Sequence, residues 1–286
     1  MILKNKMANG KLCLFILVSI LFITPPNLAL SQISITVVPP LVETAIAAGG
    51  LRSFKLVVSN LGNKPVDIQG YTRDLKLRPD GTPLILDPGV TSYSCAKWIE
   101  LTEDKFTLDP GSKKVIGAKI KVPRGERGGR YAVILFESLS SGRTKRGNVI
   151  LGARLGTIMM VSIPWTLKRE AEISQIKVER TSVTPREGGQ GKTLIQPVDF
   201  IVSLKNMGNV HIQANGSVVI KNDEGRIIDR IPLEAGTGTV LPEGVRDFQG
   251  SWSNPRKMVK GKYTAEARIN YRGRRQARAE KTFLIE

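Results

Sequence analysis

Few residues in this chain have the types and spacing for chemistry. The segment EGGQGKTL (187–194) sets glycines before a Lys-Thr pair, as loops that cradle phosphate with backbone amides do. Arg186 stands where such a loop requires its first glycine, and no strand-to-helix pattern surrounds the segment, so it reads as a flexible loop. The single histidine, His211, lies in an alternating stretch with no carboxylate or cysteine at ligand spacing, which argues against metal binding and acid–base catalysis. No second histidine exists for a triad, and Asp and Glu fall mostly in turn segments. No catalytic residue is assigned, no cofactor or metal is expected, and the class that remains is a non-enzymatic binding protein.

Basic clusters are more informative. SGRTKRGN (141–148) gathers Arg143, Lys145 and Arg146, and NYRGRRQARAEK (270–281) gathers Arg272, Arg274, Arg275 and Arg278; both have the form of hairpin tips. Charged tips solvate a surface and protect strand edges. On a chain of net charge +18 they also suit an anionic envelope polymer. Nucleic acid is not expected as a partner, because no stacking aromatics are interleaved with these arginines.

The elements that must carry these residues are strands. ISITVV, FKLVVS, VDIQGY, KVIGAKIKV and YAVILFE, then EISQIKV, VDFIVSL, HIQANGSVVI, GRIIDRI, KYTAEARINY and AEKTFLI, are short runs bounded by Gly, Pro, Asn and Asp. No segment of ten or more residues shows a helical apolar stripe. The pattern predicts an all-β protein of sandwich or barrel class with little helix.

A repeat fixes how many units there are. FKLVVSNLGN (54–63) returns as FIVSLKNMGN (200–209), and in each half a Pro-containing turn, at Pro110 and Pro242, precedes a tyrosine by 21 residues, Tyr131 and Tyr263. Phe54 and Phe200 are expected between two sheets. The Asn-x-Gly-Asn segments are expected to supply left-handed backbone angles, and Tyr131 and Tyr263 to bury a ring and bond backbone with the hydroxyl. LRPDGTPLILDPGVTSYSCAKW is extra to the first copy and falls between strands, where a sandwich tolerates insertions. Two immunoglobulin-like sandwiches follow, at 32–166 and 167–286.

Residues 1–31 have the form of a secretory signal: Lys4, Lys6 and Lys11, an apolar run LCLFILVSILFI, and Ala29-Leu30-Ser31. Cleavage after Ser31 is expected; a retained N-terminal anchor is the other reading. Removing three lysines leaves +15 and no membrane-length apolar run. The mature chain is therefore expected outside the cytoplasm, in the periplasm or else secreted or on the cell surface. Cys95 would remain alone, without a disulfide partner, and beside Trp98 it reads as a small buried hydrophobe.

The segments SNLGNKPVDIQGY, WIELTEDKFTLDPGSKKVIGAKIKVPRGERGGRYAVILFES and NVILGARLGTIMMVSIP, within residues 33–165, resemble the first domain of the periplasmic pilus-assembly chaperones and their immunoglobulin-like relatives. They also resemble a Gram-positive surface family that partners WxL-type wall proteins. The chaperone resemblance implies strand lending: the last strand of the first domain, here Asn148 to Pro164, would offer alternate apolar residues to an incomplete subunit. Val149, Leu151, Ala153, Leu155, Met159, Val161 and Ile163 share one face, and Ile150, Arg154, Ile158 and Met160 lie on the other. The expected partner-binding residues are these last four. A central strand buried on both sides is the alternative. The chaperones also use an Arg in the first strand and a Lys in the last to hold a terminal carboxylate; ISITVVPPLVE has no Arg and TIMMVSIP no Lys. The expected function is an assembly-chaperone-like protein engaging a surface-structure subunit or envelope protein. The alternative is an adhesin or envelope module holding anionic polymer through the basic tips.

Overall fold

A computed structural model describes residues 34–139, 153–180, 197–254 and 256–285. Strand is the dominant element, with one short 3-10 turn at Ala96–Trp98. The first half contains β1 (Ile35–Val38), β2 (Leu41–Ala45), β3 (Leu51–Asn60), β4 (Val66–Leu77), β5 (Pro83–Leu86), β6 (Ile99–Leu101), β7 (Lys105–Leu108), β8 (Lys113–Lys121), β9 (Gly128–Ser138) and β10 (Arg154–Ile163). The second contains β11 (Ala171–Arg180), β12 (Val198–Asn206), β13 (Ile212–Gln213), β14 (Asn215–Asn222), β15 (Ile227–Leu233), β16 (Thr239–Val240), β17 (Val245–Trp252), β18 (Gly261–Asn270) and β19 (Ala277–Ile285).

In the first half, sheet β1-β3-β8-β6 packs on sheet β2-β10-β9-β4-β5, with β7 also paired to β4. Leu56, Val58, Ile116 and Ile120 from one sheet meet Ile68, Ile134, Phe136, Met159 and Val161 from the other, all essentially without exposure. Pro39 and Pro40, which lack the N–H a ladder needs, separate β1 from β2 where the chain leaves one sheet for the other. In the second half, β11-β12-β17 packs on β15-β14-β18-β19 around Phe200, Phe248, Trp252 and Tyr263. The result is two immunoglobulin-like sandwiches, each with its own core. Trp252 lies edge-on to Tyr263, whose ring stacks on Phe283.

The repeat is a physical joint. Asn60 ends β3, and its side-chain amide donates to the carbonyls of Lys64 (2.8 Å) and Leu108 (3.0 Å) and accepts the Gly62 N–H (2.9 Å). Asn206 ends β12 and repeats this with Val210, Val240 and Gly208, each at 2.9 Å. Leu108 and Val240 each stand two residues before the landmark proline, so one buried asparagine ties the two sequence landmarks together in each sandwich. The backbone completes the joint: the Gly111 and Glu243 N–H groups donate to the Asn60 and Asn206 carbonyls.

Three expectations are corrected here. The Asn-x-Gly-Asn segments contain no left-handed residue; those angles occur after the prolines, at Gly111 (φ 71°) and Glu243 (φ 61°). The tyrosines are not equivalent: Tyr263 points into its core, whereas Tyr131 points away from the core lined by Ala132, Ile134 and Phe136. HIQANGSVVI is broken at Ala214 into β13, which pairs with β16, and β14, which pairs with β15 and β18, and His211 precedes both. Phe200 is fully buried, and Phe54 is half-buried beneath Arg52.

Candidate partner-binding face

The site grows from the alternation along β10. Met159, Val161 and Ile163 enter the first core, which leaves Ile158 and Met160 on the opposite face of the same sheet. There they join Leu75 of β4 and Tyr131, Val133 and Leu135 of β9 in a second apolar cluster outside the sandwich core. β9 is thus apolar on both faces. That was legible in YAVILFE, which does not alternate as a strand with one wet face would.

This face is covered unevenly. At one end Leu241 of the second sandwich packs against it, beside a cavity of about 580 Å³ lined by Leu75, Leu77, Val90, Tyr93, Tyr131 and Leu241. The loop that brings in Val90 and Tyr93 is organised by buried Asp74. Its carboxylate accepts hydrogen bonds from the Gly89 N–H (3.0 Å), the Thr91 N–H (2.8 Å) and hydroxyl (3.1 Å), and the Ser94 hydroxyl (2.5 Å). Burial works to raise the Asp74 pKa, but these donors together hold it below the ordinary value. The insertion read as extra to the first copy is therefore β5 plus this loop. Cys95 at its end is fully buried, and burial pushes its thiol far above the usual range.

At the other end Ile158 is only half-buried, while Leu155, in register with Phe136 and so on the core-facing side of β10, is 40% exposed where the strand runs past β2. Arg154 makes a two-point ion pair with Glu137 (3.0 and 3.1 Å), which also accepts the Tyr71 hydroxyl (2.5 Å). Hydrogen bonds from these two partners, Tyr71 first and then Arg154, keep the Glu137 pKa low. Arg154 is thus committed to a neighbour in the same sheet rather than standing as an isolated cation.

The two readings of the last strand each hold for half of it. β10 pairs with β9 along its whole length, but with β2 only from Ile158 to Ser162. Among the described residues, Arg154–Thr157 have no strand paired on the β2 side; the Thr157 hydroxyl donates to the Pro39 carbonyl there (2.6 Å). Leu41, where β2 begins, is 46% exposed. Ile150 and the tip residues Arg143, Lys145 and Arg146 lie outside the described residues, as do EGGQGKTL and the N-terminal 31 residues.

His211 has partners that sequence spacing did not reveal. Its ring lies between Glu43 of β2, 168 positions away, and Tyr131 of β9. The Gly128-Gly129 pair makes this approach feasible: a Cβ on Gly129 would stand 2.1 Å from the Tyr131 hydroxyl, and one on Gly128 2.4 Å from the Asn209 carbonyl. The Gly129 N–H donates to that carbonyl (2.7 Å). Arg272, Arg274 and Arg275 are brought together at the β18–β19 turn, beside Lys168 and Arg169. Arg278 lies apart from them, inside β19, with its guanidinium near Gln276.

No protein-family model matches the sequence, and no curated protein matches it. In structure the chain is similar over most of its length to periplasmic pilus chaperones, at low sequence identity. The class 5 fimbriae chaperone CfaA matches with TM-score 0.44 and 12% identity, over 88% of this chain and 100% of that one. The Salmonella enterica SafB chaperone, solved with the SafA pilin, matches with TM-score 0.40 and 10% identity, over 90% and 99%. The CsuC–CsuE chaperone–tip subunit pre-assembly complex of Acinetobacter baumannii matches with TM-score 0.41 and 14% identity, over 86% and 97%.

Proposed function

We propose that this chain is an exported, non-enzymatic binding protein, assembly-chaperone-like, that holds a surface-structure subunit or another envelope protein. Its signal, residues 1–31, is removed, and sandwiches 32–166 and 167–286 act in the periplasm. The partner adds a strand at Arg154–Thr157 and packs apolar side chains on the face of Ile158 and Met160.

The observation that carries this reading is the coincidence of two features at one place. An apolar cluster lies outside the sandwich core, and among the described residues the strand bordering it has no partner on the β2 side over Arg154–Thr157. Main-chain hydrogen bonds along an edge supply affinity, and alternate side chains on the adjoining face supply selectivity. Burying a half-exposed Ile and its neighbours adds roughly 1–2 kcal/mol per side chain. The test is recovery of bound protein from the native envelope with wild type and with Ile158→Asp. The substitution should abolish recovery of the partner without changing the thermal midpoint; undiminished recovery sinks the proposal.

A further inference from the structure

We propose a second binding surface, independent of the first: a groove between the inter-sandwich linker and the β18–β19 turn that takes a linear polyanion carrying phosphate groups. The groove, about 830 Å³ and open to solvent, is lined by Lys168 and Arg169 on one side and by Arg272, Arg274 and Arg275 on the other. Glu170 is the one carboxylate in the lining, and it pairs with Lys168 at 2.5 Å. Among the described residues the four arginines make no ion pair, whereas Arg268, just before this turn, is neutralised by Glu266.

Both walls are held in place. Tyr271 is buried in the second core directly beneath the turn, and the Arg272 N–H is capped by the Asn270 side chain (3.0 Å). The linker is pinned by the second copy of the repeat: the Asn209 side chain accepts the Lys168 N–H (2.7 Å) and donates to the Thr166 carbonyl (2.8 Å). Gly208 lies so close that a Cβ there would stand 2.2 Å from the Lys168 carbonyl. The arginines therefore face one another from two anchored elements, and their mutual repulsion is relieved when an anion enters. Arginine forks match phosphate oxygens two at a time, and two rows of cations along one groove match a chain of charges better than a single ion.

The test uses the mature chain and long-chain inorganic polyphosphate, with the association constant measured against salt concentration. Arg274→Gln/Arg275→Gln and Lys168→Gln/Arg169→Gln should each weaken binding about ten-fold and lower the salt slope by about two. Lys119→Gln/Lys121→Gln, on exposed positions of β8, should leave binding within about two-fold. A linker variant that binds like wild type overturns the proposal, and so does a β8 variant that loses as much as the groove variants. Equal affinity for polyglutamate of matched charge overturns the phosphate assignment. None of these outcomes touches Ile158, so failure here is distinct from failure of the partner-binding reading.

Discussion

The Tyr131 hydroxyl of the first sandwich accepts the backbone N–H of His211 in the second, at 2.6 Å, and stands 3.2 Å from Nδ1 of the same residue. Burial keeps the phenol protonated. With the lone pair of Nδ1 facing that O–H, the histidine carries its proton on Nε2 and donates it to Glu43 at 3.1 Å. Every polar group in this chain of contacts is satisfied when the imidazole is neutral.

The junction should therefore respond to pH. Burial holds the His211 pKa below its ordinary value of 6.5; Glu43 opposes this and Arg169 adds to it. The unfolded state binds the proton more readily, so the stability His211 contributes is present above about pH 6.5 and is lost as the pH falls below it. Between pH 7.5 and 5.5 the thermal midpoint of wild type should fall further than that of His211→Gln. Parallel curves would remove His211 from the account.

Asn60 and Asn206 make the same prediction twice. Each donates two side-chain hydrogen bonds to carbonyls and accepts a third from a backbone N–H. Asn60→Ala and Asn206→Ala should each cost roughly 3 kcal/mol, because removing the side chain strands buried carbonyls. Denaturant midpoints of the two variants, at unchanged slope, check this.

Asp74 offers a local version of the same test. Asp74→Ala removes four hydrogen bonds from the loop that covers one end of the apolar face. Amide exchange at Gly89 and Thr91 should accelerate at least about ten-fold, while the β3–β8 ladder keeps its protection. Because its folded pKa is depressed, the stability Asp74 supplies is present above about pH 4 and is lost as the pH falls through the folded value. Acid unfolding of the variant should lack that contribution.

The sandwich class, the strand content and the repeat were legible because alternation and turn residues are local signals. The division of β10 into core and outer faces was also legible, since a strand's period of two needs no tertiary information. β17, VRDFQGSW, was not: its inward face runs Arg246, Phe248, Gly250, Trp252, and an arginine and a glycine at two of those positions hide the alternation. The partners of His211, Asp74 and Arg154 were hidden for a different reason. Glu43 is 168 residues from His211, and only the folded topology brings them together.

The most direct test of the central claim is site-specific photo-crosslinking in the native envelope. A photoreactive residue replaces Leu155, at the open edge, and separately Val115, which is more solvent-exposed and lies on the other sheet. Strand addition at Arg154–Thr157 predicts a discrete protein adduct from position 155 that disappears when Ile158→Asp is added, and none from 115. Adducts from both positions, or an adduct at 155 that survives Ile158→Asp, would contradict it.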